Sequence, residues 1–255
     1  MSKLSSASLE TLRQQIQKLD GSRREAGVLP FGVEAIDACL PGGGLALGAL
    51  HEVTGKDGGA VDGAAAALFA AGIAARSSGK VLWCVTRPDL FAPGLAQAGL
   101  GTERVVYVEA GDEKTLLACF EEGLRHGGVG AVVGEVSRLS MVASRRLQLA
   151  AEGTATLGLV LRRWGREKEA VEFGLPTAAV TRWRVTAMPS ARLPVAGLGK
   201  ARWRLELMRC KGGKTAEFTV EACDAQGCLA LSAPLADRPA ATGVEQEHGR
   251  WRAAS

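Results

Sequence analysis

Apolar and polar positions change their rhythm twice along this chain. Between residues 30 and 163, short and nearly continuous apolar runs alternate with stretches of helical period. The runs cover 49–54 (ALHEVT), 80–86 (KVLWCVT), 104–109 (RVVYVE), 130–136 (GAVVGEV) and 156–163 (TLGLVLRR). Between them, the pattern predicts an Ala-rich helix from Ala64 to Arg76 and helices over 90–99, 112–125 and 140–151. Apolar strands alternating with helices indicate a mostly parallel sheet covered on both faces. After residue 176 the period becomes two. The segments 179–187 (AVTRWRVTA), 201–210 (ARWRLELMRC) and 215–222 (TAEFTVEA) read as antiparallel strands with one wet face, followed by a short run at 227–231. Gly212-Gly213 joins two of them as a hairpin turn.

The two ends are different. Residues 8–20 predict an amphipathic helix with Leu9, Leu12, Ile16 and Leu19 on one stripe and Ser8 as its cap. So short a helix is marginal alone and needs a surface, either on its own domain or on a neighbour. From about 236 the chain is polar and aperiodic, and reads as a loose tail. The resulting organisation is a helix and linker (1–26), an α/β core (27–176), antiparallel strands completing the sheet (177–235) and the tail (236–255).

Composition narrows the class. With 255 residues, 47% apolar and 23% charged, the chain can bury a sizeable core. No run approaches the 18 apolar residues of a membrane span, and the first residues lack the apolar stretch of a secretory signal. Six cysteines with no CxxC pair, and only three histidines, argue against a zinc site and for buried thiols in a reducing cytoplasm. No Ser–His or Cys–His constellation is apparent. The net charge of +4 is uneven: 16 basic and 5 acidic residues fall within 138–214, and the flanks are acidic. A basic middle segment suggests an anionic or acidic partner.

The stretch after the first strand carries the candidate chemistry. Gly55-Lys56-Asp57-Gly58-Gly59-Ala60-Val61-Asp62 lies where a strand meets a helix, the position of a phosphate-binding P-loop. A working loop reads GxxxxGK[ST]. Here Ala60 replaces the second Gly, Val61 the Lys that neutralises the β- and γ-phosphates, and Asp62 the hydroxyl that holds Mg²⁺. One unit charge changed at 4 Å is worth about 4 kcal/mol at an effective dielectric near 20, enough to abolish useful ATP affinity. Lys56 is on the wrong side of the loop to substitute. Gly213-Lys214-Thr215 ends like a P-loop but sits in the hairpin.

With these residues in view, the sequence resembles the RecA-like ATPase core. Pro30-Phe31-Gly32-Val33-Glu34-Ala35-Ile36-Asp37 and Leu40-Pro41-Gly42-Gly43-Gly44-Leu45 look like the opening of that core. The nearer resemblance is to the ImuA family, the damage-inducible mutagenesis proteins also called SulA-like. It rests on Leu50-His51-Glu52-Val53, Thr181-Arg182-Trp183-Arg184-Val185, Ala201-Arg202-Trp203-Arg204-Leu205-Glu206-Leu207 and Val220-Glu221-Ala222-Cys223-Asp224-Ala225-Gln226-Gly227, and covers roughly residues 8–235. It implies a RecA-like core with a mostly parallel sheet flanked by helices, C-terminal antiparallel strands and a short N-terminal helix. It also implies a place in an SOS-induced mutasome, with an ImuB-like protein, an error-prone C-family DNA polymerase and RecA as partners.

Against the ATPase pattern, Arg87 stands near the place of the catalytic Glu, with Asp89 as a shifted substitute. Glu135 stands where the strand Val132-Val133-Gly134-Glu135 should end in the Mg²⁺-binding acid. These departures imply a non-catalytic, cofactor-free pseudo-ATPase; the rival is a divergent DNA-dependent ATPase using Lys56, Asp89 and Glu135. Loops and strand ends after that strand face single-stranded DNA in RecA-like cores, so Arg162, Arg163, Arg182, Arg184, Arg202 and Arg204 are the expected DNA or partner contacts. In the alternating strands the arginines share the wet face. Trp183 and Trp203 point the other way, into the core or onto a stacking platform.

Overall fold

The strand Leu50–Gly55 is buried at every position, and the rest of the sheet is laid out on either side of it. The structure, a computed structural model, describes residues 27–56, 59–163, 175–190, 197 and 199–231. The stripe Leu9, Leu12, Ile16 and Leu19, the tail after 236, and Gly58 lie outside the described residues.

The strands are β1 (Val28–Leu29), β2 (Leu45–Ala46), β3 (Leu50–Gly55), β4 (Val81–Val85), β5 (Val105–Glu109), β6 (Ala131–Val136), β7 (Leu157–Arg162), β8 (Thr181–Met188), β9 (Arg202–Cys210), β10 (Ala216–Glu221) and β11 (Ala230–Leu231). The helices are α1 (Glu34–Asp37), α2 (Ala60–Ala75), α3 (Ala92–Gln97), α4 (Glu113–His126) and α5 (Met141–Ala151). β1 and β2 form a small antiparallel pair. The other nine strands make one sheet in the order β11-β10-β9-β8-β3-β7-β6-β4-β5. From β5 to β8 all neighbours are parallel; from β8 outward they are antiparallel. The two rhythms of the sequence are therefore the two halves of a single sheet. Gly212, in the left-handed region, sits in the turn joining β9 to β10, so the Gly-Lys-Thr run after it belongs to a hairpin.

Each face has its own core. On one side α2 packs through Ala65, Ala66, Phe69, Ala70 and Ile73 against Val53, Trp183 and Trp203. Small side chains let this helix lie close to the sheet. Phe69 stacks with Phe31 at 5.9 Å between centroids and meets Trp183 and Trp203 edge-on at 5.7 and 6.4 Å. Both tryptophans are core residues, not stacking platforms. On the other side α4 and α5 bring Leu116, Phe120, Leu124 and Leu147 onto Leu50, Val132 and Val160. α4 is capped by Asp112, whose carboxylate accepts from the Thr115 amide at 2.8 Å.

The Pro30–Asp37 signature has a structural cause. The Asp37 carboxylate accepts from the amides of Phe31 and Gly32 at 2.7 and 2.9 Å, which closes the loop that delivers Phe31 to the aromatic cluster. Trp183→Ala should lower the unfolding free energy by about 3–5 kcal/mol, the usual cost of truncating a fully buried large aromatic. Urea denaturation monitored by circular dichroism checks this.

Candidate functional site

The helix α2 starts four residues earlier than its pattern suggests, so Ala60, Val61 and Asp62 form its first turn. Gly55 must be glycine: a Cβ there would meet the Asp62 carbonyl carbon and oxygen at 2.6 and 2.7 Å. Gly55 thus lies directly against the backbone of the first turn of α2. Val61, in the lysine position, is 71% exposed. Asp62, in the hydroxyl position, accepts from the Ala187 amide at 2.8 Å and so ties α2 to the end of β8. Its carboxylate is engaged with β8 and does not line the cavity beside the loop. Lys56 is exposed just past β3.

The two acids of the ATPase pattern converge, but on an arginine. Glu135 is buried near the end of β6. One carboxylate oxygen accepts from the Trp83 indole at 2.8 Å, and the other accepts from Arg163. Arg163 also donates to both oxygens of Asp89, at 2.8 and 3.0 Å. One guanidinium thus bridges the two carboxylates that stand at the acid positions of the ATPase pattern. Its hydrogen bond holds the Asp89 carboxyl below the ordinary aspartate range, with a smaller contribution from the nearby charge of Arg87. Burial alone would lower the Arg163 pKa, but its bonds to Asp89 and the charge of Glu135 outweigh burial and raise it. Gly134 precedes Glu135 because a Cβ there would stand 2.5 Å from the Phe120 ring.

Beneath the loop lies a second charged cluster that the sequence reading did not assemble. Glu52, 0% exposed at the middle of β3, accepts from Arg162 of β7 at 2.8 Å through one oxygen. Its other oxygen accepts from Arg182 of β8 at 3.0 Å and from the Thr177 hydroxyl at 2.9 Å. Arg162 and Arg182 are only 2% and 7% exposed. This corrects their assignment to a DNA- or partner-binding surface. The alternation places Arg182 opposite Trp183 as expected, but residues 175–178 cover that end of β8: Arg182 donates to the Leu175 carbonyl, and the Ala178 amide donates to Ser144 of α5. The available signal was Glu52 itself, since a carboxylate inside an apolar strand must find cations. His51 is buried between the Ala46 carbonyl and the Thr181 hydroxyl, 2.9 and 2.8 Å away.

The remaining arginines of the RWR strands are half-exposed, on the open face of β8, β9 and β10. They sit beside carboxylates: Arg184 is 3.6 Å from Glu206, and Arg204 is 3.7 Å from Glu217. Arg202 lies in the same row as Glu221. Burial pushes the Cys84 and Cys223 thiols up to about 12, so both stay protonated and unreactive at neutral pH. Among the described residues no His, Cys, Asp and Glu cluster could hold a metal, and no helix is long and apolar enough to cross a membrane.

A cavity of about 340 Å³ opens beside the loop, over the C-terminal edge of the parallel strands. It is lined by the small-residue stripe of α2 (Ala60, Gly63, Ala64, Ala67), by Leu90, Phe91 and Leu95, and by the Arg163–Asp89 pair. It is an apolar socket whose charged groups already satisfy one another.

A parallel sheet with this strand order, extended by antiparallel strands and entered through a P-loop position, defines a RecA-like protein. The crystal structure of the RadB recombinase superposes with a TM-score of 0.52 at 16% identity, covering 78% of this chain and 97% of that one, which establishes the fold. The chain belongs to the ImuA family: it is 41% identical over 213 residues to Protein ImuA of Caulobacter vibrioides, in each of two strains, spanning 80% of this chain and 87% of the relative. No protein-family model matches the sequence.

Two predictions follow from the ion pairs. Glu52→Gln should cost about 3–5 kcal/mol in urea unfolding, because it leaves buried guanidinium charge uncompensated. The Asp89–Arg163 pair is partly exposed, so its worth is at most about 1 kcal/mol. The folded-state pKa of Asp89 is depressed, so its contribution is present above the ordinary aspartate value near 3.9 and is lost as pH falls through the lower folded value. The stability gap between the parent protein and Asp89→Asn should therefore be constant near neutrality and close in acid, as read by thermal unfolding across pH.

Proposed function

We propose that this protein is a non-catalytic, RecA-like accessory factor of SOS-induced error-prone translesion synthesis. In this reading it acts as a scaffold or adaptor for an ImuB-like protein, an error-prone C-family polymerase and RecA. Membership of the ImuA family supports a role in damage-inducible mutagenesis, and the fold supports kinship with recombinases. The observation that carries the non-catalytic reading is Arg163: its guanidinium occupies both Glu135 and Asp89, while Val61 points into solvent where a phosphate-binding lysine should stand. A nucleoside triphosphate would meet an apolar side chain at the lysine position and two carboxylates already engaged.

Titration with a fluorescent ATP analogue and Mg²⁺ tests this, with and without single-stranded DNA. Binding weaker than about 1 mM, worth no more than about 4 kcal/mol, is the expected result. Micromolar binding lost in Lys56→Ala, or DNA-stimulated hydrolysis, would replace this reading with that of a divergent ATPase.

Single-stranded DNA belongs to the proposal through Arg184, Arg202 and Arg204, which the fold leaves half-exposed on one sheet face. Phosphates would compete there with Glu206 and Glu217. Arg184→Ala/Arg204→Ala should flatten the salt dependence of single-strand binding by about 1.4 in slope, two contacts at roughly 0.7 each. An unchanged slope would remove this face from DNA binding.

A further inference from the structure

The nine-stranded sheet has two edges, and they are built differently. At one end β11 is only two residues long. At the other, β5 runs for five residues, Val105–Glu109, and among the described residues β4 is its only strand partner. Proteins blunt such edges with a short strand, a proline, a lysine or a bulge. β11 is blunted by its length. β5, Val-Val-Tyr-Val-Glu, has none of these devices. Its Val106 and Tyr107, on opposite faces of the strand, are 49% and 40% exposed. One bond fixes which backbone groups face outward. The Ala110 amide donates to the Val85 carbonyl of β4, so the even-numbered groups of β5 face inward, and those of Val105, Tyr107 and Glu109 face outward. The Val105 amide is taken by the Thr102 carbonyl. The Tyr107 and Glu109 amides and the three outward carbonyls have no partner among the described residues.

We propose that β5 pairs antiparallel with β5 of a second copy of this chain, about a two-fold axis through Tyr107, joining the two sheets edge to edge. The edge is complementary to itself in this register. Tyr107 is the middle residue, so centring there pairs both strands over their whole length; an axis through Val106 or Val108 leaves part of each strand unpaired. The two Tyr107 residues exchange both main-chain bonds, and each Glu109 amide donates to the partner's Val105 carbonyl. Every outward amide that the fold leaves open is then used. Val106 comes opposite the partner's Val108 on the α4 side, where Val108 already packs against the α4 core. The Tyr107 side chains meet on the α2 side, the side of Val105. Charge agrees as well. Glu109 is the one charged residue of the strand, and the two copies of it stand about 14 Å apart along the strands, beyond the Debye length of about 8 Å at physiological ionic strength. An axis through Val108 would halve that distance, and one through Val106 would set Glu103 opposite the partner's Glu109. A contact of this size is at the weak end of protein interfaces, so monomer and dimer exchange.

The pairing is independent of the adaptor reading, and its test needs no nucleotide, DNA or other protein. Sedimentation velocity of the full-length chain from about 1 to 200 µM, the range of weak interfaces, should show monomer giving way to dimer. Hydrogen exchange at the Tyr107 and Glu109 amides should slow by about threefold or more over the same range. Tyr107→Pro removes an outward N–H and no bond to β4, so it should fold and stay monomeric. Val106→Lys, at an exposed side chain, should also stay monomeric. Tyr107→Cys tests the register. Opposed Cα atoms of a hydrogen-bonded pair lie about 5.5 Å apart, within disulfide reach. Diamide should therefore cross-link this variant, two thiols giving one disulfide while the diazene takes up both electrons and both protons, and should not cross-link the parent through its native cysteines. A monomer at every concentration overturns the proposal, as does a dimer that survives both Tyr107→Pro and Val106→Lys. A Tyr107→Cys dimer that fails to cross-link overturns the pairing. Slow exchange at Tyr107 that does not change with concentration also overturns it, because the edge would then be covered within one chain.

Discussion

A carboxylate at the centre of a sheet sets the terms for much of this protein. Glu52 sits on the middle strand with no access to water, and it is stable there because both flanking strands bring an arginine to it. β7 and β8 both lie far from β3 in sequence, yet each is parallel to it and each is fixed in register by its bond to the same residue. A slip by one position would turn Arg162 or Arg182 to the opposite face and strand a charge in the α2 core. The pairing therefore acts as a register lock, at the cost of removing two arginines from the surface.

Toward the C-terminal edge of the parallel strands, the same logic pairs further acids with an arginine. In a working ATPase of this fold the acids at the strand ends wait for Mg²⁺ and water. Here the residue after β7 is a second arginine, and it satisfies them internally. The result is an internally bonded rim beside an apolar socket.

Much of this was legible beforehand. The alternation of apolar runs and helices gave the parallel half, and the period-two segments gave the antiparallel half, because strand period is a direct consequence of the pleat. The departures at Ala60, Val61 and Asp62 were visible because a P-loop demands specific chemistry at fixed spacing. What stayed hidden was partnership across distance. Nothing local shows that Glu52 meets Arg162 and Arg182, or that Trp83 and Arg163 share Glu135. The RWR motif misled for the same reason: alternation assigns a side chain to a face, but not what covers that face, and residues 175–178 cover one end of β8. The start of α2 was missed because glycines and an acid hide a helical turn, although Asp62 suits the positive end of a helix.

The bond from Asp62 to the Ala187 amide has an evolutionary consequence. Restoring a hydroxyl at position 62 would shorten the side chain that joins α2 to β8. Restoring a lysine at 61 would still leave Glu135 and Asp89 held by Arg163. Each single change thus loses a contact or leaves the arginine bridge in place, and only a concerted change at several sites could assemble the standard loop. Internal bonding of this kind works as a ratchet: a lineage that carries it is kept by its own stability from drifting toward the standard loop.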